Sequence, residues 1–166
     1  MIGKSALLET IAGKNRGLLA TEPQRQAILS AIAQLEDRNP TPRPIEALDL
    51  LEGDWRLVYT TSRGILGIEQ VPFLEGIVSV AARFKPISEK RVDVKFERSI
   101  LGLQRLIGYQ TPDHFIHQIE SGQKLAAIDF SLDNRDQQGW LDTTYLDEDM
   151  RIGRGNEGSV FVLTKG

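Results

Sequence analysis

Residues 139–164 read GWLDTTYLDEDMRIGRGNEGSVFVLT, and this stretch decides which class of fold the chain adopts. It contains three short segments rich in apolar and β-branched residues, namely 139–146, 149–154 and 159–164. Asp147 and Glu148 separate the first two segments, and the run Gly-Asn-Glu-Gly separates the last two. Polar or glycine-rich breaks of this length are typical of hairpin turns. The stretch therefore predicts an antiparallel meander of three strands.

The same alternation of side chains occurs earlier in the chain. Trp55, Leu57 and Tyr59 stand two residues apart, which predicts a strand that begins near Asp54 and ends at a turn at 61–64. Further strands are predicted at 76–84, 91–98 and 124–132. A total of about seven strands, most of them joined by short turns, favours an antiparallel sheet that closes or nearly closes, because closure removes unpaired edges.

The first part of the chain has a helical pattern instead. Apolar residues at helical spacing predict a helix over 4–13. Thr21, followed three residues later by Gln24, forms a capping-box pattern that begins a second helix. The proline-rich run at 39–44 ends this helical pair as a stiff linker.

Composition excludes several classes of function. The chain has 166 residues and no cysteine, which excludes thiol catalysis, zinc–thiolate sites and a disulfide framework. Its net charge of −3 provides no overall attraction for nucleic acid. No apolar run approaches the roughly 18–20 residues of a membrane span, and the first residues lack the core of a secretory signal. We therefore expect a cytosolic protein whose membrane contact is at most peripheral.

Three runs of sequence carry a resemblance to a known family. The run LEGDWRLVYTTS at 51–62 contains the Gly-x-Trp pattern that opens the first strand of lipocalins. Together with GWLDTTYLDEDMRIGRG at 139–155 and KFERSILGLQR at 95–105, it resembles the plastid-lipid-associated proteins, also called fibrillins, and among them a cyanobacterial member. Gly-x-Trp alone is unspecific, whereas the C-terminal run is long and specific. The resemblance extends from Leu7 to Thr164.

The resemblance implies a mainly β fold, a lipocalin-like antiparallel β-barrel over residues 45–166. An N-terminal helical segment over residues 1–44 would pack on the barrel as part of one structural domain. The residues 111–122 add one inserted short helix, which Thr111 caps and Gly122 ends. The resemblance also implies no catalytic activity and a role in binding or handling isoprenoid lipids, such as carotenoids and quinones, at thylakoid membranes or lipid globules. Protection of these lipids under light stress is part of that role, and we expect no cofactor.

The sequence departs from the family's pattern after Ile68. The family continues there with another strand-forming stretch, whereas EQVPFLEG at 69–76 follows at once in this chain. Either the protein lacks this piece, or the printed sequence omits it. A barrel without an internal strand would expose an unpaired edge, which favours the omission.

Trp55 is expected to close one end of the barrel. In lipocalin-like barrels the first-strand tryptophan carries a stacked arginine from a late strand, and Arg154 and Arg151 are the arginines available here. Arg154 is preferred because it stands at a strand end. Such a stack adds a cation–π attraction of about 0.5–2 kcal/mol to apolar burial, so the role is structural.

A larger set of residues on the predicted strands is expected to face the interior of the barrel and to contact an apolar ligand with a polar head. The predicted ligand-binding residues are Trp55, Leu57, Tyr59, Val94, Phe96, Asp142, Tyr145, Arg151 and Phe161. The alternative for each is that it fills a dry core, which is the commoner role of an aromatic stripe. For Asp142, a salt bridge to Arg151 across the hairpin is preferred over a hydrogen bond to the ligand.

Two other groups of residues have weaker functional interpretations. His114 and His117 lie three residues apart on the predicted helix, but zinc needs further ligands that the sequence does not supply, so we expect a solvated surface and no metal site. Basic and apolar residues intermix farther upstream and form a candidate surface for anionic lipid, the alternative being an ordinary sheet face with solvated charges. The membrane-facing candidates are Arg98, Leu101, Leu103 and Arg105.

Two hypotheses of function follow. The first is non-enzymatic binding of a hydrophobic isoprenoid-type lipid or pigment by a protein that is soluble or peripherally associated with the cytoplasmic side of the thylakoid membrane. The second is a protein-interaction module with a filled barrel, which docks an enzyme of isoprenoid or quinone biosynthesis. An enzymatic role ranks last, because no serine stands in a nucleophile elbow and both histidines lie on one short helix.

Overall fold

The α-helices in the described part of the chain lie within its first 51 residues. The computed structural model describes residues 2–62, 76–103, 127–131 and 138–166. The α-helices in these ranges are α1 (Ile2–Ile11), α2 (Glu22–Glu36) and the single turn α3 (Leu48–Leu51). The helix predicted over 111–122 lies outside the described residues.

The predicted capping box begins the second helix. The backbone N–H of Thr21 donates to Oε1 of Gln24 at 2.9 Å, and Pro23 lies in the first turn. This reciprocal arrangement gives hydrogen-bond partners to backbone groups that a helix start leaves unpaired. The prediction of a capped helix at Thr21 is therefore confirmed.

Each of the seven predicted strand segments contains a strand. The strands are β1 (Trp55–Thr60), β2 (Gly76–Pro86), β3 (Arg91–Leu103), β4 (Ala127–Ser131), β5 (Gln138–Leu146), β6 (Met150–Gly155) and β7 (Val160–Lys165). The last three form the predicted meander, with β5 paired to β6 and β6 paired to β7, both antiparallel. Short polar turns fix this order, because antiparallel neighbours need only a few connecting residues.

The strands form a mainly antiparallel sheet. Their order is β1-β7-β6-β5-β3-β2, and β4 pairs with β3 off this path. The first and last strands are neighbours in the sheet, because β1 pairs antiparallel with β7. Within the described residues β1 and β2 are the two ends of the order and no ladder joins them. The antiparallel sheet with a few helices is confirmed, and the closed barrel stays a prediction.

The chain divides into two compact units. The first consists of Met1–Gln70, Lys85–Asp93 and Gly139–Gly166, and the second consists of Val71–Phe84 and Val94–Gln138. The first unit holds the helices and strands β1, β6 and β7, together with nearly all of β5. The predicted division at residue 44 stays a prediction.

The hydrophobic core of the first unit lies between the helices and one face of the sheet. Apolar residues recur at helical spacing on α1 and α2, so each helix presents one buried stripe. The helical core residues are Leu7, Ile11, Ile28, Ile32 and Leu35. The sheet residues they meet define the helix-covered face, namely Tyr59, Tyr145, Met150, Ile152, Val160 and Val162. Burial of this stripe holds the helical pair on the sheet, because each fully buried side chain of this size contributes roughly 1.5–3 kcal/mol.

The connection between α1 and α2 approaches the sheet closely at Gly17. The backbone of this residue has φ +108, and a Cβ there would lie 2.8 Å from the carbonyl oxygen of Thr60 and 3.0 Å from the ring of Tyr59. Gly13 in the same connection also has positive φ, at +70, but nothing lies within 4 Å of its Cβ position. A side chain at Gly13 would therefore cost only the unfavourable backbone conformation, whereas a side chain at Gly17 would also clash with β1.

We predict that Gly17→Ala lowers the free energy of unfolding more than Gly13→Ala does. Both variants carry the cost of a left-handed backbone, about 1–2 kcal/mol, whereas Gly17→Ala must also push the helical connection away from β1. Urea unfolding followed by circular dichroism measures both values. Equal losses in the two variants would contradict the close packing described here.

Candidate ligand-binding face

Two irregularities in strand pairing decide which side chains share a face. The ladder between β1 and β7 shifts between Leu57 and Tyr59, and the ladder between β5 and β6 shifts between Thr143 and Tyr145. A β-bulge of this kind inserts one extra residue and reverses the alternation of faces. Residues two apart in sequence therefore point to opposite sides at both places.

The side of the sheet away from the helices carries its own set of residues. Cross-strand partners lie on the same face, so the pairs Arg151–Leu163, Gly153–Phe161 and Thr143–Gly153 all belong to this side. We name this side the opposite face and define it by Leu57, Leu141, Thr143, Arg151, Phe161 and Leu163.

The apolar side chains of the opposite face are only partly covered. Leu57, Leu141, Phe161 and Leu163 are all half-buried, in contrast to the fully buried valines on the helix-covered side of β7. Leu141 also lies over the bare backbone of β6, since a Cβ at Gly153 would be 3.1 Å from its Cδ1 atom. The opposite face is thus an apolar surface that retains room for further contact.

Two polar atoms on the opposite face are buried without a hydrogen-bond partner in the described part of the chain. They are Nε of Arg151 and Oγ1 of Thr143, and Thr143 is 1% exposed. Burial lowers the pKa of Arg151, although an arginine stays charged. Leaving a buried polar group unpaired costs about 1–3 kcal/mol, so the two atoms offer unused bonding capacity.

Asp142 has a different salt-bridge partner from the predicted one. It pairs across the strands with Arg154, which places it on the side of the sheet that the helices cover. In place of the predicted bridge to Arg151, its carboxylate accepts two hydrogen bonds from Arg91 at 2.6 and 2.7 Å. The hydrogen bond from Arg91 lowers the pKa of Asp142, and the Arg91 guanidinium lies 4.1 Å from the centre of the Trp140 ring. Arg91 stands next to Asp142 in the sheet, whereas Arg151 faces the other side.

Arg154 also has a different partner from the predicted one. Its guanidinium donates two hydrogen bonds to the carboxylate of Glu36 on α2, both at 2.7 Å. This arginine does not stack on Trp55, because Arg154 lies on the helix-covered side of the sheet and Trp55 lies on the other side. The cation over the Trp55 ring is instead Lys165, with its Nζ 5.3 Å from the ring centre.

The two predicted tyrosines belong to the core beneath the helices. Tyr59 and Tyr145 are both buried on the helix-covered face, because the bulges turn them away from Leu57 and Thr143. The hydroxyl of Tyr145 donates to Asp147 at 2.6 Å, and burial raises the pKa of Tyr145. These side chains hold the fold together and are separated from the opposite face by the sheet.

Asp147 joins α1 to the hairpin between β5 and β6. Its carboxylate accepts a hydrogen bond from Tyr145 and from the backbone N–H of Met150 at 2.9 Å, and it pairs with Lys4 of α1 at 2.8 Å. Burial alone would raise the pKa of Asp147, but the hydrogen bonds from Lys4 and Tyr145 outweigh it and lower the pKa to about 2. The residue was predicted only as part of a polar turn.

The remaining predicted residues are placed as follows. Trp55, Leu57, Arg151 and Phe161 lie on the opposite face, and the Trp55 indole N–H donates to the carbonyl of Leu51 at 2.8 Å. Val94 lies on β3 in the second unit and is buried. For Phe96, Arg98, Leu101 and Leu103 only the backbone, within β3, is described. Arg105, His114 and His117 lie outside the described residues.

Sequence reasoning missed Thr143, Leu141 and Leu163 as members of the opposite face. Thr143 stands two residues before Tyr145, and strict alternation would have placed both on one side. Only a bulge separates them, and bulges leave no clear sequence signal at Thr144.

Comparison with known proteins identifies relatives over nearly the whole chain. The family model PAP_fibrillin matches residues 1–70 and 66–164. A plastid-lipid-associated protein of Citrus unshiu is 35% identical over 98% of this chain and 67% of its own length. A chromoplast-specific carotenoid-associated protein of Cucumis sativus is 34% identical over 98% of this chain and 67% of its own length. A light-induced chloroplastic protein of Solanum tuberosum is 35% identical over 98% and 66% respectively. No solved structure matches the chain.

The alignments also locate a difference between this chain and its relatives. They extend over 215 or 216 positions, although the chain has 166 residues, so the relatives carry residues without a counterpart here. The two ranges matched by the family model meet at 66–70. This interval includes Ile68, after which the sequence departs from the family's pattern.

The Asp147 cluster generates a prediction about acid stability. Because the folded-state pKa of Asp147 lies near 2, below its ordinary value of 3.8, its stabilising contribution is complete above that ordinary value and is lost as the pH falls toward 2. We expect Asp147→Asn to remove about 2 kcal/mol of the pH-dependent stability between pH 5 and pH 2. Urea unfolding at several pH values in this range measures the effect.

Asp149→Asn is the matched control for this experiment. Asp149 also contacts Lys4, but its side chain is 68% exposed. Its replacement should change the acid dependence much less. Parallel pH profiles for the wild type and Asp147→Asn would contradict the assigned role of Asp147.

Proposed function

Because the chain belongs to the family of plastid-lipid-associated proteins, or fibrillins, we propose that it binds and handles hydrophobic isoprenoid-type lipids of the carotenoid or quinone class. The lipid would lie on the opposite face of the sheet. The protein would act without catalysis, at or near thylakoid membranes, and would protect its lipid under light stress.

One observation carries the lipid part of this proposal, namely the names of the relatives. Two of them are called carotenoid-associated or plastid-lipid-associated proteins, and the match covers 98% of this chain in both cases. A domain that is similar over its whole length is expected to share the type of partner that its surface accommodates.

The distribution of apolar surface supports the position of the lipid. Helices α1 and α2 occupy one face of the sheet, so a ligand on this unit has the opposite face available. Leu57, Phe161 and Leu163 retain part of their surface there, and Trp55 lies at the edge of the same face. Covering such side chains with a hydrocarbon chain is favourable by about 25 cal/mol per Å² of apolar area.

A closed barrel would complete the binding site. We include in the proposal that the sheet curls until its two end strands, β1 and β2, are joined and the opposite face becomes the interior. A small barrel of this type has room for one slender ligand, and closure would remove two exposed strand edges.

The absence of catalysis is supported by the chemistry of the face itself. Its two buried polar atoms that lack a hydrogen-bond partner within the described residues are Nε of Arg151 and Oγ1 of Thr143. Neither serves as a general base near neutral pH, because arginine keeps its proton and an isolated threonine hydroxyl does not lose one.

Contact with the thylakoid is proposed to be peripheral. In the described ranges, no helix combines the length and the apolar character that a membrane crossing requires. Of the candidate docking residues, Arg98, Leu101 and Leu103 lie on β3.

Fluorescence titration tests the proposed binding. The full chain is titrated with retinol and, separately, with a short-chain prenylquinone, and quenching of Trp55 and Trp140 is recorded. We expect saturable one-to-one binding. Leu163→Asn, on the opposite face, should weaken binding about tenfold or more, because it removes apolar contact of about 1.4 kcal/mol.

The matched control places the same substitution outside the face. Leu19 is 64% exposed in the connection between α1 and α2, so Leu19→Asn should leave binding unchanged. Unfolding midpoints establish that both variants are folded. Lack of saturation with both ligands, or equal affinities of the two variants for them, would refute binding on the opposite face.

A further inference from the structure

We propose that Arg151 and Thr143 anchor the head group of the ligand, and that this head group carries a negatively charged oxygen such as a lipid carboxylate. The inference rests on the proposed function and adds the chemistry of one end of the ligand. It selects an acidic lipid over a neutral alcohol or a plain hydrocarbon.

The first step concerns the neighbours of Arg151. Its cross-strand partners are Leu146 on β5 and Leu163 on β7, and neither side chain can accept a hydrogen bond. The next residue on the same face of β6 is Gly153, which has no side chain. Within the described residues, the immediate surroundings of Arg151 in the sheet therefore provide no counter-charge.

The second step concerns the acidic residues that might have paired with Arg151. Asp142 is held by Arg91, Glu36 is held by Arg154, and Asp147 is held by Lys4. Asp142 also lies on the other side of the sheet from Arg151. These three acidic residues are therefore paired with cations other than Arg151.

The third step brings in Thr143. Its partner across the strands is Gly153, two residues from Arg151 along β6, so Thr143 and Arg151 are diagonal neighbours on one face. Diagonal positions are within about 7–8 Å at the backbone, close enough for two side chains to reach one ligand atom group. Since position 153 is glycine, no side chain stands at the ladder position beside them.

The fourth step is the type of group that these two donors require. Nε–H of Arg151 and the hydroxyl of Thr143 can both donate, and the guanidinium carries a full positive charge. A carboxylate accepts several hydrogen bonds at once and neutralises the charge. An alcohol supplies a weaker, uncharged acceptor, and a hydrocarbon supplies none.

The experiment compares two retinoids that differ only at the head group. Quenching titrations with retinoate and with retinol give the two affinities for the full chain. We expect retinoate to bind at least tenfold more tightly, which corresponds to about 1.4 kcal/mol. Arg151→Met should remove this preference by weakening retinoate binding about tenfold, and Thr143→Val should reduce the preference about threefold.

Stability of the ligand-free protein provides a second measurement. A buried N–H without an acceptor destabilises a fold, so Arg151→Met should unfold at a denaturant concentration no lower than the wild type. An arginine with a purely structural role would show the reverse. If Arg151→Met does not yield folded protein, that result counts against the inference, and Thr143→Val carries the affinity comparison.

The outcomes separate this inference from the proposed function. If retinol and retinoate bind with equal affinity, or if Arg151→Met weakens both equally, the anchor is refuted while lipid binding stands. If neither retinoid nor the prenylquinone binds, the proposed function fails and the anchor with it.

Discussion

The burial of one helical stripe on the sheet is the constraint on which the rest of the first unit depends. Ile28, Ile32 and Leu35 of α2 belong to one buried cluster with Ile152 and Val162 of the sheet. On the opposite face of this unit the apolar residues Leu57, Phe161 and Leu163 are only half-buried. The difference in burial between the two faces follows from where the helices pack.

Features that depend on neighbouring residues were predictable from the sequence. The capping box at Thr21 needs only Gln24 three residues later, and the turns at 147–149 and 155–158 are set by polar and glycine residues within each turn. All seven strands were found for the same reason, since alternation over six residues is a local property. Family membership was recognisable from a run of seventeen residues, 139–155.

Features that depend on register were not predictable. Leu57 and Tyr59 alternate perfectly in the sequence, yet the shift between them sends one to the helices and the other to the opposite face. The predicted partners of Arg154 and Asp142 were wrong for a related reason. Arg154 meets Glu36, 118 residues away in the chain, and Arg91 meets Asp142, 51 residues away, so no spacing rule connects them. Contacts of this kind exist only once the sheet order is known.

The three arginines around β5 and β6 show how the same residue type serves different purposes. Arg91 and Arg154 each hold a carboxylate with two hydrogen bonds and thereby fasten neighbouring elements together. Arg151 has apolar partners on both sides and a buried nitrogen without an acceptor in the described structure. Its buried Nε–H therefore lacks the partner that buried polar groups normally have. The donor that Arg151 leaves unused is the one that the proposed acidic head group would occupy.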